Sequence, residues 1–88
     1  MTDLVRIADG VVYKRVGDET ILLDFDAGVY YGLDSVGARI WELLADARSL
    51  EAIVDTLLEE YDVTRDVLEN DVAALLSELG LKQLIRRG

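Results

Sequence analysis

Residues 22–36 read Leu22-Leu23-Asp24-Phe25-Asp26-Ala27-Gly28-Val29-Tyr30-Tyr31-Gly32-Leu33-Asp34-Ser35-Val36, a stretch that passes from one strand pattern through a turn into another. Asp26-Ala27-Gly28 is typical of a three-residue hairpin loop, in which the glycine takes the left-handed conformation. Asp34 and Ser35 belong to the residue types that cap helices. The stretch therefore predicts an antiparallel strand pair that leads directly into a helix.

A further strand precedes this pair, because residues 11–16 are rich in β-branched and aromatic side chains and Gly17-Asp18 reads as a two-residue turn. We expect strands at about 11–16, 19–25 and 29–33. Pairing outward from the turns sets Val16 opposite Glu19 and Phe25 opposite Val29. One face of the sheet then collects the bulky apolar residues and should be covered by helices. These residues are Val12, Val16, Ile21, Leu23, Phe25, Val29, Tyr31 and Leu33.

Three helical patterns follow, at about 35–45, 50–61 and 65–79, each with apolar residues at spacings of three and four. Ser49 and Thr64 are suited to cap the second and third helices, Asp34 or Ser35 is suited to cap the first, and Gly80 should end the third. A short tail follows. The chain is expected to form a single α+β domain over residues 1–88. A three-stranded antiparallel sheet followed by three helices resembles a winged helix-turn-helix.

Composition excludes several functions. The chain has 88 residues, no Cys and no His, so thiolate nucleophiles, imidazole bases and the usual zinc sites are ruled out. We therefore expect no enzymatic activity, no cofactor and no metal. The net charge of −9 repels nucleic acid and anionic membranes. No apolar run approaches the ~20 residues that span a bilayer, and residues 1–10 lack the pattern of a secretory signal. Together these two observations predict a cytoplasmic protein.

The third predicted strand, residues 29–33, lies at the edge of the sheet and leaves backbone donors and acceptors unpaired. Such an edge beside a helix can accept an extended peptide as an added strand. Alternatively, the C-terminal tail or a second copy of the chain covers it. Most acidic residues of the helices should simply face solvent, although Asp71 and Glu78 also suit the selection of a basic or amide-bearing peptide.

A rival interpretation comes from Gly32-Leu33-Asp34-Ser35-Val36, which looks like the phosphopantetheine attachment motif of an acyl carrier protein. Acyl carriers have a long helix before the serine, whereas the residues before Ser35 here have strand patterns and two turn signals. We therefore interpret Ser35 as a helix cap, and the acyl-carrier function is the weaker alternative.

The order of these pieces resembles the PqqD-like family of RiPP recognition elements, with the likeness at residues 22–44, 49–54, 60–63 and 71–72. Within the family, Tyr-Tyr-Gly-Leu-Asp at 30–34 and Ala-Arg-Ile-Trp-Glu-Leu-Leu at 38–44 resemble the leader-binding proteins of lasso-peptide clusters. The members that serve pyrroloquinoline quinone synthesis, an alternative role, usually have Asn-Glu-x-Ala and Cys-Asp-Gly at two places. This chain has Asp-Ser-Val-Gly at 34–37 and Ala-Asp-Ala at 45–47, which counts against that role.

The resemblance implies a non-catalytic domain that binds the leader of a precursor peptide as an added strand. It also implies delivery of the leader to a separate, cysteine-protease-like leader peptidase, with the cyclase as a further candidate partner, and a monomer or weak homodimer. Tyr31 and Leu33 would face the core side of the sheet and Tyr30 the opposite side. The leader-binding residues carried over from the family are Val29, Tyr30, Tyr31, Gly32, Leu33, Leu68, Asp71, Val72, Leu75 and Leu76.

Overall fold

The computed structural model describes residues 5–46 and 49–87. Its elements, in chain order, are β1 (Val5–Ile7), β2 (Val11–Val16), β3 (Glu19–Asp24), β4 (Val29–Leu33), α1 (Ser35–Ala45), α2 (Leu50–Glu60), α3 (Arg65–Leu81) and β5 (Ile85–Arg87). Strands β2, β3 and β4 form an antiparallel sheet in that order, and the three helices follow it. This confirms the α+β fold class. The predicted ends of these six elements differ from the observed ends by at most two residues.

Two short strands that the sequence did not predict form a separate ribbon. Strand β5 pairs antiparallel with β1, with Val5 opposite Arg87 and Ile7 opposite Ile85. Val5, Leu84 and Ile85 are buried, so the ribbon closes one side of the core. The tail after α3 thus pairs with β1 and not with β4. The alternative in which the tail covers the edge of the main sheet is wrong.

The turn between β3 and β4 differs from the prediction by one residue. Asp24 pairs with Val29, and Phe25 does not pair with Val29 as expected. The reason lies in the side chain of Asp24, which accepts hydrogen bonds from the backbone N–H groups of Asp26 and Ala27 at 3.1 and 3.3 Å. These bonds begin the turn one residue earlier than predicted. The loop therefore has four residues, 25–28, and ends at Gly28 with φ of 66°.

This one-residue slip changes which side chains share a face. The β2–β3 register agrees with the prediction, with Val16 opposite Glu19, but the helices cover the opposite face of these two strands. Leu22 and Thr20 are buried, whereas Val12, Val16, Ile21 and Phe25, which were predicted to face the helices, are exposed. On β4 the prediction is confirmed for Leu33, which is buried, and for Tyr31, which is half-buried, with Tyr30 on the outer side, whereas Val29 is exposed. The helix-covered face was misjudged because both faces of β2 and β3 are apolar.

Side-chain caps fix where the helices begin. Asp34 accepts a hydrogen bond from the N–H of Gly37 at 2.8 Å, so Asp34 caps α1 and Ser35 is its first residue. Of the two predicted candidates for this cap, Asp34 and Ser35, the structure selects Asp34, so the interpretation of Ser35 as the cap is wrong by one position. Ser49 and Thr64 cap α2 and α3 as predicted. Strand β4 ends two residues before Ser35, where the acyl-carrier interpretation requires a long helix.

The core lies between the sheet and the helices. Trp41 of α1 is fully buried, and its ring meets that of Tyr13 edge-on, with 5.5 Å between the ring centroids. Helix α3 contributes one apolar row to this core, made of Leu68, Val72, Leu76 and Leu79. Because one row of α3 is buried, another row of the same helix is left to face the edge of the sheet.

Candidate functional site

A groove of about 530 Å³ lies between β4 and α3. Strand β4 forms one wall, α3 forms the other, and the first turns of α1 contribute the remaining residues. The lining residues are Tyr31, Gly32, Leu33, Asp34, Val36, Gly37, Ile40, Asp71, Ala74, Leu75 and Glu78. The middle of the groove is apolar, and its carboxylates come from α3 and from the cap of α1.

The edge of β4 that adjoins this groove has no strand beside it in the described part of the chain. Strand β4 pairs with β3 alone, because β5 pairs with β1. The outward N–H and C=O groups of β4 are therefore available to another strand. The opposite edge of the sheet, β2, carries Lys14 and Arg15, which is typical of an edge protected from strand addition.

The structure brings together half of the residues predicted to bind the leader. Tyr31, Gly32, Leu33, Asp71 and Leu75 all line the groove. Val29 precedes them on the same strand, and Tyr30 points to the outer side of the sheet with 75% of its surface exposed.

Three other predicted residues, Leu68, Val72 and Leu76, do not reach the groove. All three are buried in the core. Val72 and Leu76 also line a second cavity of about 420 Å³, which lies between α2 and α3. The family resemblance put these residues in one set with Leu75, but the rotation of α3 separates them.

Sequence reasoning missed the contribution of α1 to the groove. Val36 and Ile40 lie one turn apart on α1 and both line the groove, although Ile40 is buried and forms its floor as part of the core. Ala74 was missed as well. A signal for Ala74 was present, since Asp71, Ala74, Leu75 and Glu78 follow the spacing of three, four and seven that places residues on one helical face.

One end of the groove is closed by polar contacts between β4 and α3. A hydrogen bond with Glu78 raises the pKa of Tyr31, and burial and the negative charges of Glu78 and Asp34 act in the same direction. The Nζ atom of Lys82 lies 5.4 Å from the centroid of the Tyr31 ring, a cation–π distance. Tyr31 of β4 thus contacts Glu78 of α3 and Lys82, the C-cap of that helix, at this end of the groove.

The outer face of the sheet is a second surface of interest. We define it by Val12, Val16, Ile21, Leu23 and Tyr30, which share this side in the observed register. Ile21 is 43% exposed and Tyr30 75% exposed, and Phe25 beside them in the loop is 68% exposed. Exposed apolar residues grouped on one face of so small a protein are typical of a protein interaction site.

The described residues contain no group of three or more His, Cys, Asp or Glu side chains placed to hold a metal ion. None of the helices within 5–46 and 49–87 is long and apolar enough to cross a membrane. The groove offers main-chain hydrogen bonds, apolar contacts and carboxylates. This combination suits an extended peptide.

Comparison with known proteins agrees with this geometry. The pattern of the family described as "PqqD: Coenzyme PQQ synthesis protein D (PqqD)" matches residues 19–85. The solved structure "TbiB1 in Complex with the TbiA(beta) Leader Peptide" is 42% identical, with a TM-score of 0.89 over 92% of this chain and 94% of that one. "Lasso peptide synthetase B1 complexed with the leader peptide" is 28% identical, with a TM-score of 0.85 over 93% of this chain and 96% of that one. Among curated proteins, none matches.

Proposed function

The chain belongs to the PqqD family, and from this membership and the geometry of the groove we propose that it binds the leader segment of a lasso-type precursor peptide as an additional β-strand. The observation that carries the proposal is the free edge of β4 beside an apolar groove walled by α3. Both solved relatives hold leader peptides, which supports a peptide as the occupant and the lasso class as its source.

In strand addition, both the backbone and the side chains of the peptide contribute to binding. Main-chain hydrogen bonds to β4 would supply affinity with little dependence on the leader sequence. Alternate side chains of the leader would enter the groove and contact Tyr31, Val36 and Leu75. Since an unbound leader loses conformational entropy when it becomes a strand, these apolar contacts are needed to offset that loss.

The domain itself would transform nothing and would instead deliver the leader to a separate leader peptidase and then to the cyclase. Support for delivery comes from the outer face of the sheet, which is apolar, exposed and separate from the groove. A leader held on β4 would leave this face free for an enzyme to dock. Docking would raise the effective concentration of the leader at the peptidase without any new contact to the scissile bond.

To test leader binding, the purified protein is titrated with leader peptides of the precursors encoded beside its gene, and binding is measured by fluorescence anisotropy. Amide hydrogen exchange of the same samples then locates the peptide. Saturable binding with slower exchange at residues 29–33 is the expected result. The other edge of the sheet, residues 11–16, is the internal control and should exchange at an unchanged rate.

A leader in which the apolar anchors are replaced by Ala is the matched control peptide and should bind much more weakly. Exchange that slows at β2 and not at β4 would contradict strand addition at this edge. Repeating the exchange measurement across a range of protein concentrations tests the alternative that a second copy covers β4. In that case protection of residues 29–33 would rise with protein concentration in the absence of leader.

A further inference from the structure

The wall that α3 presents to the groove has a regular order of charges. Asp71, Ala74, Leu75 and Glu78 all line the groove. At 1.5 Å per residue, Asp71 and Glu78 are about 10 Å apart along the helix axis, with the apolar pair between them. The wall therefore presents a carboxylate, an apolar contact and a second carboxylate.

These carboxylates are not neutralised within the described part of the chain. Arg15 pairs with Glu42, Arg39 with Glu42 and Glu60, and Arg65 with Asp55, all away from the groove. No Lys or Arg in residues 5–46 or 49–87 lines the groove, and Asp71 has no ion-pair partner there.

The other groups at the groove leave this charge in place. Glu78 is bonded to the hydroxyl of Tyr31, a neutral group, and Lys82 lies over the Tyr31 ring. The carboxylate of Asp34 accepts the N–H of Gly37 and is committed to the cap of α1. The groove thus combines an apolar centre with a carboxylate at each end of its helical wall: Asp71, which has no ion-pair partner in the described residues, and Glu78, which shares Tyr31 with Lys82.

The selectivity of the groove rests on the function proposed above. We propose that the groove selects leader segments in which an apolar anchor has one Lys or Arg two residues before it and a second Lys or Arg two residues after it. In an extended strand, residues i, i+2 and i+4 point to the same side and are about 6.6 Å apart in succession. The anchor would then contact Leu75, while the two cations reach Asp71 and Glu78. Flexible Lys and Arg side chains span the small difference between strand and helix spacing.

The test measures binding of fluorescein-labelled leader peptides of the neighbouring precursors to Asp71→Asn, Glu78→Gln and Glu59→Gln proteins at low and high salt. Gln at 78 keeps an acceptor for the Tyr31 hydroxyl, so the groove should keep its width. Glu59, an exposed acid of α2 outside the groove, is the matched control. Each groove variant should bind about two- to fivefold more weakly at low salt and show a smaller salt dependence than wild type, because each removes one of two exposed ion pairs, which contribute modestly and are screened by salt. The control should bind as wild type does.

A charge exchange distinguishes ion pairing from a structural effect. Each Lys or Arg of the leader is replaced in turn by Glu. One of these variant peptides should bind the wild-type protein more weakly and should regain affinity for the Asp71→Lys protein. If Asp71→Asn and Glu78→Gln both bind the leader with wild-type affinity and wild-type salt dependence, this inference is overturned and the proposed function stands. Failure of the wild type to bind any of the leaders would overturn both.

Discussion

Truncating Leu75 to Ala should weaken leader binding about two- to fivefold while the protein stays folded. Leu75 lines the groove and is partly buried in the free protein, where it packs against the core. Full burial of a Leu side chain is worth about 1.5–3 kcal/mol, and a bound leader would bury the roughly one-third that remains exposed. The expected loss is about 0.5–1 kcal/mol of binding free energy, which corresponds to a change of about two- to fivefold in Kd.

The same substitution should also cost about 1–2 kcal/mol of stability, because roughly two-thirds of the side chain is buried already. An 88-residue domain is expected to have about 4–13 kcal/mol of stability, so the variant remains folded. Fluorescence of Trp41 checks this directly, since its buried ring reports unfolding.

Leu81→Ala is the matched control for this measurement. Leu81 belongs to the same helix, is 84% exposed and does not line the groove. Its truncation should leave Kd unchanged and stability within about 0.5 kcal/mol of wild type. Equal Kd values for the two variants, both folded by Trp41 fluorescence, would refute the assignment of the groove as the leader site.

Three further predictions test the outer face, the Tyr31 contact and the β3–β4 turn. Ile21→Lys, on the outer face of the sheet, should keep leader affinity within about twofold and stability within about 1 kcal/mol, but abolish the stimulation of leader cleavage in an assay with the partner peptidase. Because Glu78 raises the pKa of Tyr31, the fold favours the protonated phenol. The stabilisation is therefore complete below the unfolded pKa and is lost as pH rises through the folded value. Urea unfolding at increasing alkaline pH should show wild type converging towards Tyr31→Phe. Gly28→Ala should lower the unfolding free energy by about 1–2 kcal/mol in the same assay, because residue 28 has φ of 66°, whereas Gly28→Asn should cost less.

The order and bounds of the main elements could be predicted because each is marked by local chemistry, such as Gly17-Asp18, the caps at Ser49 and Thr64, and helical spacing. The face of the sheet that the helices cover could not be predicted from the sequence. Val12 and Ile21 on one side and Leu22 on the other are all apolar, so hydrophobicity does not identify the covered face.

The register of β4 depended on a side-chain interaction. The carboxylate of Asp24 bonds to the backbone of its own turn, and this choice of turn shifts the pairing by one residue. Strands β1 and β5 were missed for another reason. Each has three residues, too few for an alternating pattern, and they are separated by almost the whole described chain.

The strand side of the groove was predictable and the helix side only partly so. Alternation within β4 correctly placed Tyr31 and Leu33 towards the helices, because this alternation holds whatever the register. On α3 the apolar residues around Leu75 cover more than one face, and the rotation of the helix depends on its packing against α2. That packing turns Leu68, Val72 and Leu76 inwards and leaves Asp71 and Leu75 in the groove.

The separation of α3 into a core row and a groove row has a consequence for engineering. Leu68, Val72, Leu76 and Leu79 hold the helix in place, while Asp71, Ala74, Leu75 and Glu78 line the groove, with Leu75 also packed against the edge of the core. A library that varies the second set should therefore retain the fold in most of its members. Since backbone pairing along β4 carries little sequence information, such a library is a route to orthogonal protein–leader pairs that operate side by side in one cell without crosstalk.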